Sequence, residues 1–142
     1  MKIKVDDVYT RNPVTVGPET SAPDARKLME EHDIRRLPVV QDGKLVGIVT
    51  LTDLLRAAPS PATSLSIWEL NYLLDKIKVA ELMTRDVVTA TPDTDLQAVA
   101  KIMAERKIGG IPVVEGDKVI GIITESDVFR ALVKLLEEKQ DA

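Results

Sequence analysis

The strongest constraint on this chain is an internal repeat. Residues 5–57 align with residues 79–131 without a gap, and identical residues recur throughout the alignment. Self-similarity of this kind indicates two copies of one structural unit that bury their apolar faces by packing together. The 142 residues therefore divide into a first repeat over 1–57, a connector over 58–78, and a second repeat with a helical tail over 79–142.

Each copy predicts the same order of elements. A short extended segment (13–16 or 87–90) precedes a helix, for which Thr94 and Gln97 form a capping box in the second copy. A hairpin rich in β-branched residues follows, and a second helix closes the unit. We expect an α/β (α+β) fold of two β-α-β-β-α repeats, whose small three-stranded sheets are too small to be stable alone.

The connector has the pattern of an ordered helix. Its apolar residues Ile67, Leu70 and Leu74 recur at helical spacing, and Trp68 and Tyr72 lie beside this stripe. We therefore expect a helix between the repeats, with two large aromatic side chains near its surface.

Composition excludes several classes of protein. The 23 acidic and 19 basic side chains give a net charge of −4, which argues against a nucleic-acid partner because such proteins usually carry a basic face. Cysteine is absent, so neither a disulfide framework nor a thiolate metal site is expected. The chain opens without a secretory signal and has no apolar run of about 18 residues. We expect a cytoplasmic protein without a membrane partner.

One motif recurs at a predicted junction of strand and helix. It reads Gly-x-x-Thr-x-x-Asp and places Thr50 before Asp53 and Thr124 before Asp127. A threonine followed three residues later by an acidic residue resembles a capping box, which only closes a helix. The same geometry also suits a ligand, because free helix amides attract a phosphate while a carboxylate accepts hydrogen bonds from two ribose hydroxyls. The spacing is compatible with both interpretations.

Further motifs strengthen a resemblance to a known family. The second copy contains Met83-Thr84, Pro92, Pro112-Val113-Val114 and a Gly-Ile-Ile-Thr segment that ends at Thr124. This series, present twice in register, resembles the cystathionine-beta-synthase (CBS) domain, and the two copies resemble a CBS pair, or Bateman module, over about residues 3 to 135.

The resemblance implies both an architecture and a function. It implies a pseudo-twofold pair with two clefts between the repeats that commonly take AMP, ADP, ATP or S-adenosylmethionine. It also implies a stand-alone regulatory protein that forms a homodimer through its helices and controls an unknown effector protein. Ligand occupancy would then shift the balance between two arrangements of the repeats or subunits.

The resemblance also implies roles for single residues. Asp53 and Asp127 would hold ribose hydroxyls, and Thr50 and Thr124 would lie near the ribose or the phosphate. The base pockets would be lined by Thr15, Val16, Pro38, Thr89, Ala90 and Pro112.

The two copies differ where phosphates are expected. The first copy has Arg35 and Arg36 before its hairpin, and the second has Gly109 and Gly110. Arginines suit bidentate phosphate recognition and glycines permit close approach of the backbone, although the arginines are also compatible with solvated charges. The resemblance implies that these positions lie near the interface of the repeats, so that the arginines could serve a cleft whose aspartate comes from the other repeat. We therefore expect two unequal sites.

No residue pattern points to catalysis. The sequence has neither a nucleophile paired with a base nor a Walker-type loop, and the only histidine, His32, is expected at the surface. We therefore expect no catalytic residue, no metal site and no required cofactor, with the adenosine-type molecule as a regulatory ligand. The alternative is an interaction or oligomerisation module with vestigial clefts, whose partner is recruited around Trp68 and Tyr72.

Overall fold

The computed structural model describes residues 2–57 and 66–140. In chain order its elements are a 3-10 helix (Val5–Asp7), β1 (Thr10–Arg11), α1 (Ala22–His32), β2 (Arg36–Gln41), β3 (Lys44–Thr50), α2 (Leu51–Ala57), α3 (Ile67–Asp75), α4 (Val79–Leu82), α5 (Leu96–Arg106), β4 (Gly110–Glu115), β5 (Lys118–Thr124) and α6 (Glu125–Gln140). This mixture of helices and small antiparallel sheets confirms the predicted fold class.

The chain forms two compact units. The first, here the Asp127 unit, contains Met1–Pro13 and Val88–Ala142, and the second, the Asp53 unit, contains Val14–Val87. Each unit thus combines most of one sequence repeat with the opening segment of the other repeat.

The opening segments are integral to the units they join. In the Asp127 unit Val5 is fully buried, its amide donates to the carbonyl of Thr94 at 2.8 Å, and the Leu96 amide donates to Ile3. The corresponding Val79 is equally buried in the Asp53 unit, where its amide donates to the carbonyl of Thr20. Burial of these valines removes apolar surface from water, which stabilises the folded unit.

An ion pair adds to the attachment of the first opening segment. The Lys4 ammonium lies 2.6 Å from Oδ1 of Asp95. This hydrogen bond raises the pKa of Lys4 and lowers the pKa of Asp95. Both side chains are more than a third exposed, so the pair contributes little to stability.

Both sheets are built on a hairpin. In the Asp53 unit β2 pairs with β3, Val16 forms a parallel bridge to Val39, and Thr84 bridges to Ile48. In the Asp127 unit the sheet has the order β1-β5-β4, and Ala90 forms a parallel bridge to β4. The extended segments predicted at 13–16 and 87–90 therefore pair with the hairpins only through Val16 and Ala90. The short strand β1 was not predicted.

Side-chain capping differs among the helix starts that the structure describes. Ser21 caps α1 by accepting from the Asp24 amide at 3.2 Å. The prediction that Thr94 caps α5 was wrong, because the N-cap is Asp95 and the Thr94 hydroxyl accepts from the Thr91 amide instead. The local hydrogen bond to Thr91 satisfies Thr94 in a turn before the helix.

Alternating strand residues make the two cores. Leu37, Val39 and Val49 are fully buried in the Asp53 unit. Their counterparts Ile111, Val113 and Ile123 have at most 1% of their surface exposed in the Asp127 unit. Pro38 and Pro112 face the opposite side of each sheet and are also fully buried, so the first strand of each hairpin is buried on both faces.

The predicted connector helix is confirmed as α3. Ser66 caps it, while Trp68 and Tyr72 are 81% and 61% exposed. The first part of the connector, residues 58–65, lies outside the described residues. Among the residues that the structure describes, no helix is long and apolar enough to cross a membrane.

Candidate functional site

The glycine of the repeated motif allows another segment to lie directly across its strand. A Cβ at Gly121 would overlap the ring of Tyr9 and lie 2.5 Å from the carbonyl oxygen of Thr10. A Cβ at Gly47 would lie 2.6 Å from Sδ of Met83. Glycine is required for this close backbone approach, and the approach brings the opening segment next to the start of the closing helix.

Asp127 is the most constrained polar side chain of the Asp127 unit. It is only 3% exposed, yet it belongs to the first turn of α6. Its Oδ2 accepts from the amide and the hydroxyl of Thr124 at 2.9 and 3.2 Å. Its Oδ1 accepts from the Thr10 hydroxyl at 3.1 Å and from Nη2 of Arg130 at 2.6 Å. Hydrogen bonds thus reach both carboxylate oxygens, as a buried charge requires.

Asp53 occupies the same position in the Asp53 unit with fewer partners. Its Oδ2 accepts from the Thr50 amide at 2.9 Å, and its own amide donates to the Thr50 hydroxyl at 3.2 Å. The side chain is half-buried. Within residues 2–57 and 66–140 no hydrogen bond reaches its Oδ1, and Arg56 forms no ion pair with it.

Both carboxylates accept from the threonine amide that precedes their helix. At Asp53 the reciprocal bond to the Thr50 hydroxyl completes a capping box, whereas the Thr124 hydroxyl donates to Asp127. That role leaves an accepting oxygen at Asp53, since a carboxylate offers about four lone-pair directions. The role of Asp53 and Asp127 on a ribose, with Thr50 and Thr124 beside them, stays a prediction.

The structure brings the predicted base-pocket residues together within each unit. The Val16 amide donates to the carbonyl of Pro38 at 3.1 Å, and the Ala90 amide donates to that of Pro112 at 3.0 Å. The side chains of all four residues are buried in the cores. Thr15 and Thr89, by contrast, are exposed. The assignment of these residues to base pockets stays a prediction.

The predicted phosphate residues flank the same turn as Asp53. Arg36 lies opposite Thr50 in the β2–β3 ladder, and the carbonyl of Arg35 accepts from the Leu51 amide at 2.7 Å. Gly110 lies opposite Thr124 in the Asp127 unit. The two units therefore differ in charge beside otherwise equivalent turns.

Two functional candidates were missed from the sequence. Thr10 and Arg130 both contact Asp127, although neither was singled out. A signal existed, because Thr10 is identical to Thr84 and Arg130 to Arg56 in the repeat alignment.

The remaining polar candidates are His32 and groups of possible metal ligands. His32 is exposed in the last turn of α1, as predicted. No group of three or more His, Cys, Asp or Glu side chains that could hold a metal ion occurs in the part of the chain that the structure describes.

Comparison with known proteins identifies the family. A family model of the CBS domain matches residues 5–60 and again residues 79–134. A CBS domain-containing protein of Dictyostelium discoideum is 33% identical over 139 residues, which cover 96% of both chains. The chain spans less than half the length of the first curated relatives it matches, 46% and 24% for the first two.

Solved structures match over almost the whole chain. The CBS domain pair of protein MJ0100, in complex with 5'-methylthioadenosine and S-adenosyl-L-methionine, has a TM-score of 0.78 at 32% identity and covers 94% of this chain and 98% of its own. CBSX2 in complex with AMP has a TM-score of 0.77 at 36% identity, covering 92% and 97%. With two matched copies of the domain and these structural relatives, the chain belongs to the CBS-domain family as a tandem CBS pair.

Proposed function

We propose that this chain is a cytoplasmic regulatory module that senses an adenosine-type nucleotide (AMP, ADP or ATP) or S-adenosylmethionine and has no catalytic activity of its own. The proposal draws on two relatives whose structures contain AMP, or 5'-methylthioadenosine and S-adenosyl-L-methionine. All of these ligands share an adenosine group. A site for this group needs an acceptor for ribose hydroxyls and a surface for the base.

The observation that carries the proposal is the accepting oxygen of Asp53. Oδ2 is held by the Thr50 amide at 2.9 Å, which fixes the carboxylate at the start of α2. Among the described residues no donor reaches Oδ1, so this oxygen can accept from a ribose hydroxyl. Each hydrogen bond to a charged acceptor contributes about 1.5–3 kcal/mol, so one oriented carboxylate has a large effect on affinity.

Charge beside Asp53 favours a ligand with a phosphate. Arg36 lies opposite Thr50, and Arg35 precedes it on an exposed stretch. A guanidinium matches the geometry of a phosphate and binds it with two parallel hydrogen bonds. S-adenosylmethionine carries no phosphate, so this surface favours AMP, ADP or ATP in the Asp53 unit.

Assembly as a homodimer completes the proposed module. On α6, Phe129, Leu132, Val133 and Leu136 are each at least 50% exposed. A contiguous apolar helix face of this kind is usually covered by a partner, and a second copy gives a closed, symmetric assembly. Ligand binding then regulates an unidentified effector protein by favouring one arrangement of the module over another.

Isothermal titration calorimetry tests the ligand proposal. AMP, S-adenosylmethionine and GMP are titrated into the wild type, Asp53→Ala and Asp127→Ala. We expect an adenosine-type ligand to bind, with at least a tenfold loss of affinity in Asp53→Ala, because about 1.4 kcal/mol corresponds to a factor of ten. Asp86→Ala changes an exposed aspartate elsewhere and serves as the matched control. Unchanged affinity in both aspartate variants contradicts the ribose assignment.

The exposed side chains of α3 favour a second candidate, an interaction module with vestigial sites. Trp68 and Tyr72 are among the most exposed large side chains of the described chain. A thermal-shift screen separates the candidates, since a ligand at 100 times its Kd adds about 2.7 kcal/mol of stability. If adenosine nucleotides, guanosine nucleotides and S-adenosylmethionine all leave the Tm unchanged, the interaction module is favoured.

A further inference from the structure

We infer that the ion pair between Arg130 and Asp127, here the Arg130 latch, blocks the ribose acceptor of the Asp127 unit, so that the Asp53 unit binds ligand first. The inference rests on the proposed function and specifies which of two nearly identical motifs is available. It assigns Arg130 a role in determining the order of binding.

The acceptor capacity of Asp127 is already used within its own unit. Oδ2 accepts from the Thr124 amide and hydroxyl, and Oδ1 accepts from Thr10 and Arg130. These donors account for the roughly four lone-pair directions of a carboxylate. A ribose hydroxyl can reach Asp127 only by replacing one of them.

Arg130 is the donor that a ligand can displace. Its side chain is 70% exposed, whereas Asp127 is 3% exposed. A freed guanidinium is therefore readily hydrated. The Thr124 amide, in contrast, is fixed by the β5–α6 turn, and the Thr10 hydroxyl is fixed by the pairing of β1 with β5.

The difference between the units does not come from residue type. Arg56 and Thr84 are the counterparts of Arg130 and Thr10, yet neither forms a hydrogen bond to Asp53 among the described residues. The opening segment of the Asp127 unit forms a two-residue strand on β5, while Thr84 forms only a single bridge to Ile48. Thr84 nevertheless pairs with Ile48 at the position where Thr10 pairs with Ile122. The contacts of the Thr10 and Arg130 side chains therefore make one carboxylate closed and leave the other accessible.

Single-site variants provide the test. Calorimetry with adenosine, AMP and S-adenosylmethionine compares Asp53→Ala with Asp53→Ala/Arg130→Gln, in which only the Asp127 site remains. We expect the added Arg130→Gln to increase the affinity for adenosine about threefold to fivefold, because an ion pair with a mostly exposed arginine no longer competes with the ribose. The matched control adds Arg56→Gln to Asp127→Ala and is expected to change adenosine affinity by less than about twofold.

The possible outcomes are distinct. An unchanged or lower adenosine affinity in the Arg130→Gln variant overturns the latch while leaving the proposed function standing, provided that the wild type binds. Loss of AMP affinity with adenosine affinity unchanged also overturns it, because Arg130 is then a phosphate ligand. If the wild type binds none of the three molecules, both the proposed function and the latch fail. Arg130→Ala, compared by thermal unfolding and by the same titrations, shows whether glutamine itself introduces a new contact.

Discussion

Replacing Gly121 by alanine should weaken the attachment of β1 and thereby the whole Asp127 unit. The new Cβ would overlap the Tyr9 ring and lie 2.5 Å from the Thr10 carbonyl oxygen. Tyr9 is buried and Thr10 belongs to a paired strand, so neither atom can move without disturbing the sheet. Overpacking of this kind costs about 1–3 kcal/mol, and the backbone clash indicates the upper part of that range.

Gly47→Ala provides a graded comparison. There the new Cβ would lie 2.6 Å from Sδ of Met83 and 3.0 Å from the carbonyl oxygen of Thr84. The thioether can rotate away, since methionine side chains adapt to irregular space. We expect a cost of about 1 kcal/mol, near the lower limit for overpacking.

Gly17→Ala is the matched control. Its new Cβ has only an ordinary contact of 3.9 Å with the carbonyl oxygen of Val40, and Gly17 is not among the glycines with positive φ. Alanine at such a position is neutral or stabilises by about 0.4–1 kcal/mol, because it restricts the unfolded chain.

Urea unfolding followed by circular dichroism measures the three variants. For a slope of about 2 kcal/mol per molar urea, Gly121→Ala should lower the midpoint by about 1 M. Gly47→Ala should lower it by about half as much, and Gly17→Ala should not lower it. A Gly121→Ala protein that is as stable as the wild type would refute the close packing of β1 on β5.

Two further predictions concern assembly and pH. Leu132→Glu/Leu136→Glu should convert the proposed homodimer to a monomer in analytical ultracentrifugation, because both leucines are about half exposed on α6. Lys134→Glu is the control on the same helix. A wild type that sediments as a monomer contradicts the proposed homodimer. For Asp95→Asn, the wild type should be slightly more stable near neutral pH. The Lys4 hydrogen bond lowers the pKa of Asp95, so this advantage is present above the ordinary aspartate pKa and lost as the pH falls through the folded-state pKa. The same hydrogen bond raises the pKa of Lys4, so the stability advantage of the wild type is also lost as the pH rises through that raised value. Urea titrations across pH measure this advantage. A stability difference between wild type and Asp95→Asn that persists unchanged in acid would contradict the prediction.

The elements that the sequence predicted well are those with a local signal. Runs rich in β-branched residues located the hairpins, and Leu37 and Ile111 lie buried in them. The Thr-x-x-Asp spacing located both aspartates at the first turn of a helix. A run of β-branched residues and a cap at fixed spacing depend on residues close together in the chain, so they can be recognised from sequence.

The features that sequence reasoning missed depend on distant segments. Strand β1 has only two residues and no periodicity, and it exists because Gly121 admits it. Because the two repeats are so similar, their alignment does not reveal which hairpin receives which opening segment. The contrast between Arg130 and Arg56 is of the same kind, since identical residues differ only in what the tertiary structure places beside them.

The exchange of opening segments changes what counts as a separable piece of this protein. A fragment cut at the repeat boundary contains a hairpin but lacks the segment of the other repeat that pairs with it. The outer strand of that hairpin then exposes unpaired backbone and its motif glycine. Residues 14–87 instead contain every strand and bridge of one sheet, and this stretch is the natural choice for study in isolation. The boundary between the sequence repeats therefore differs from the boundary between the folded units.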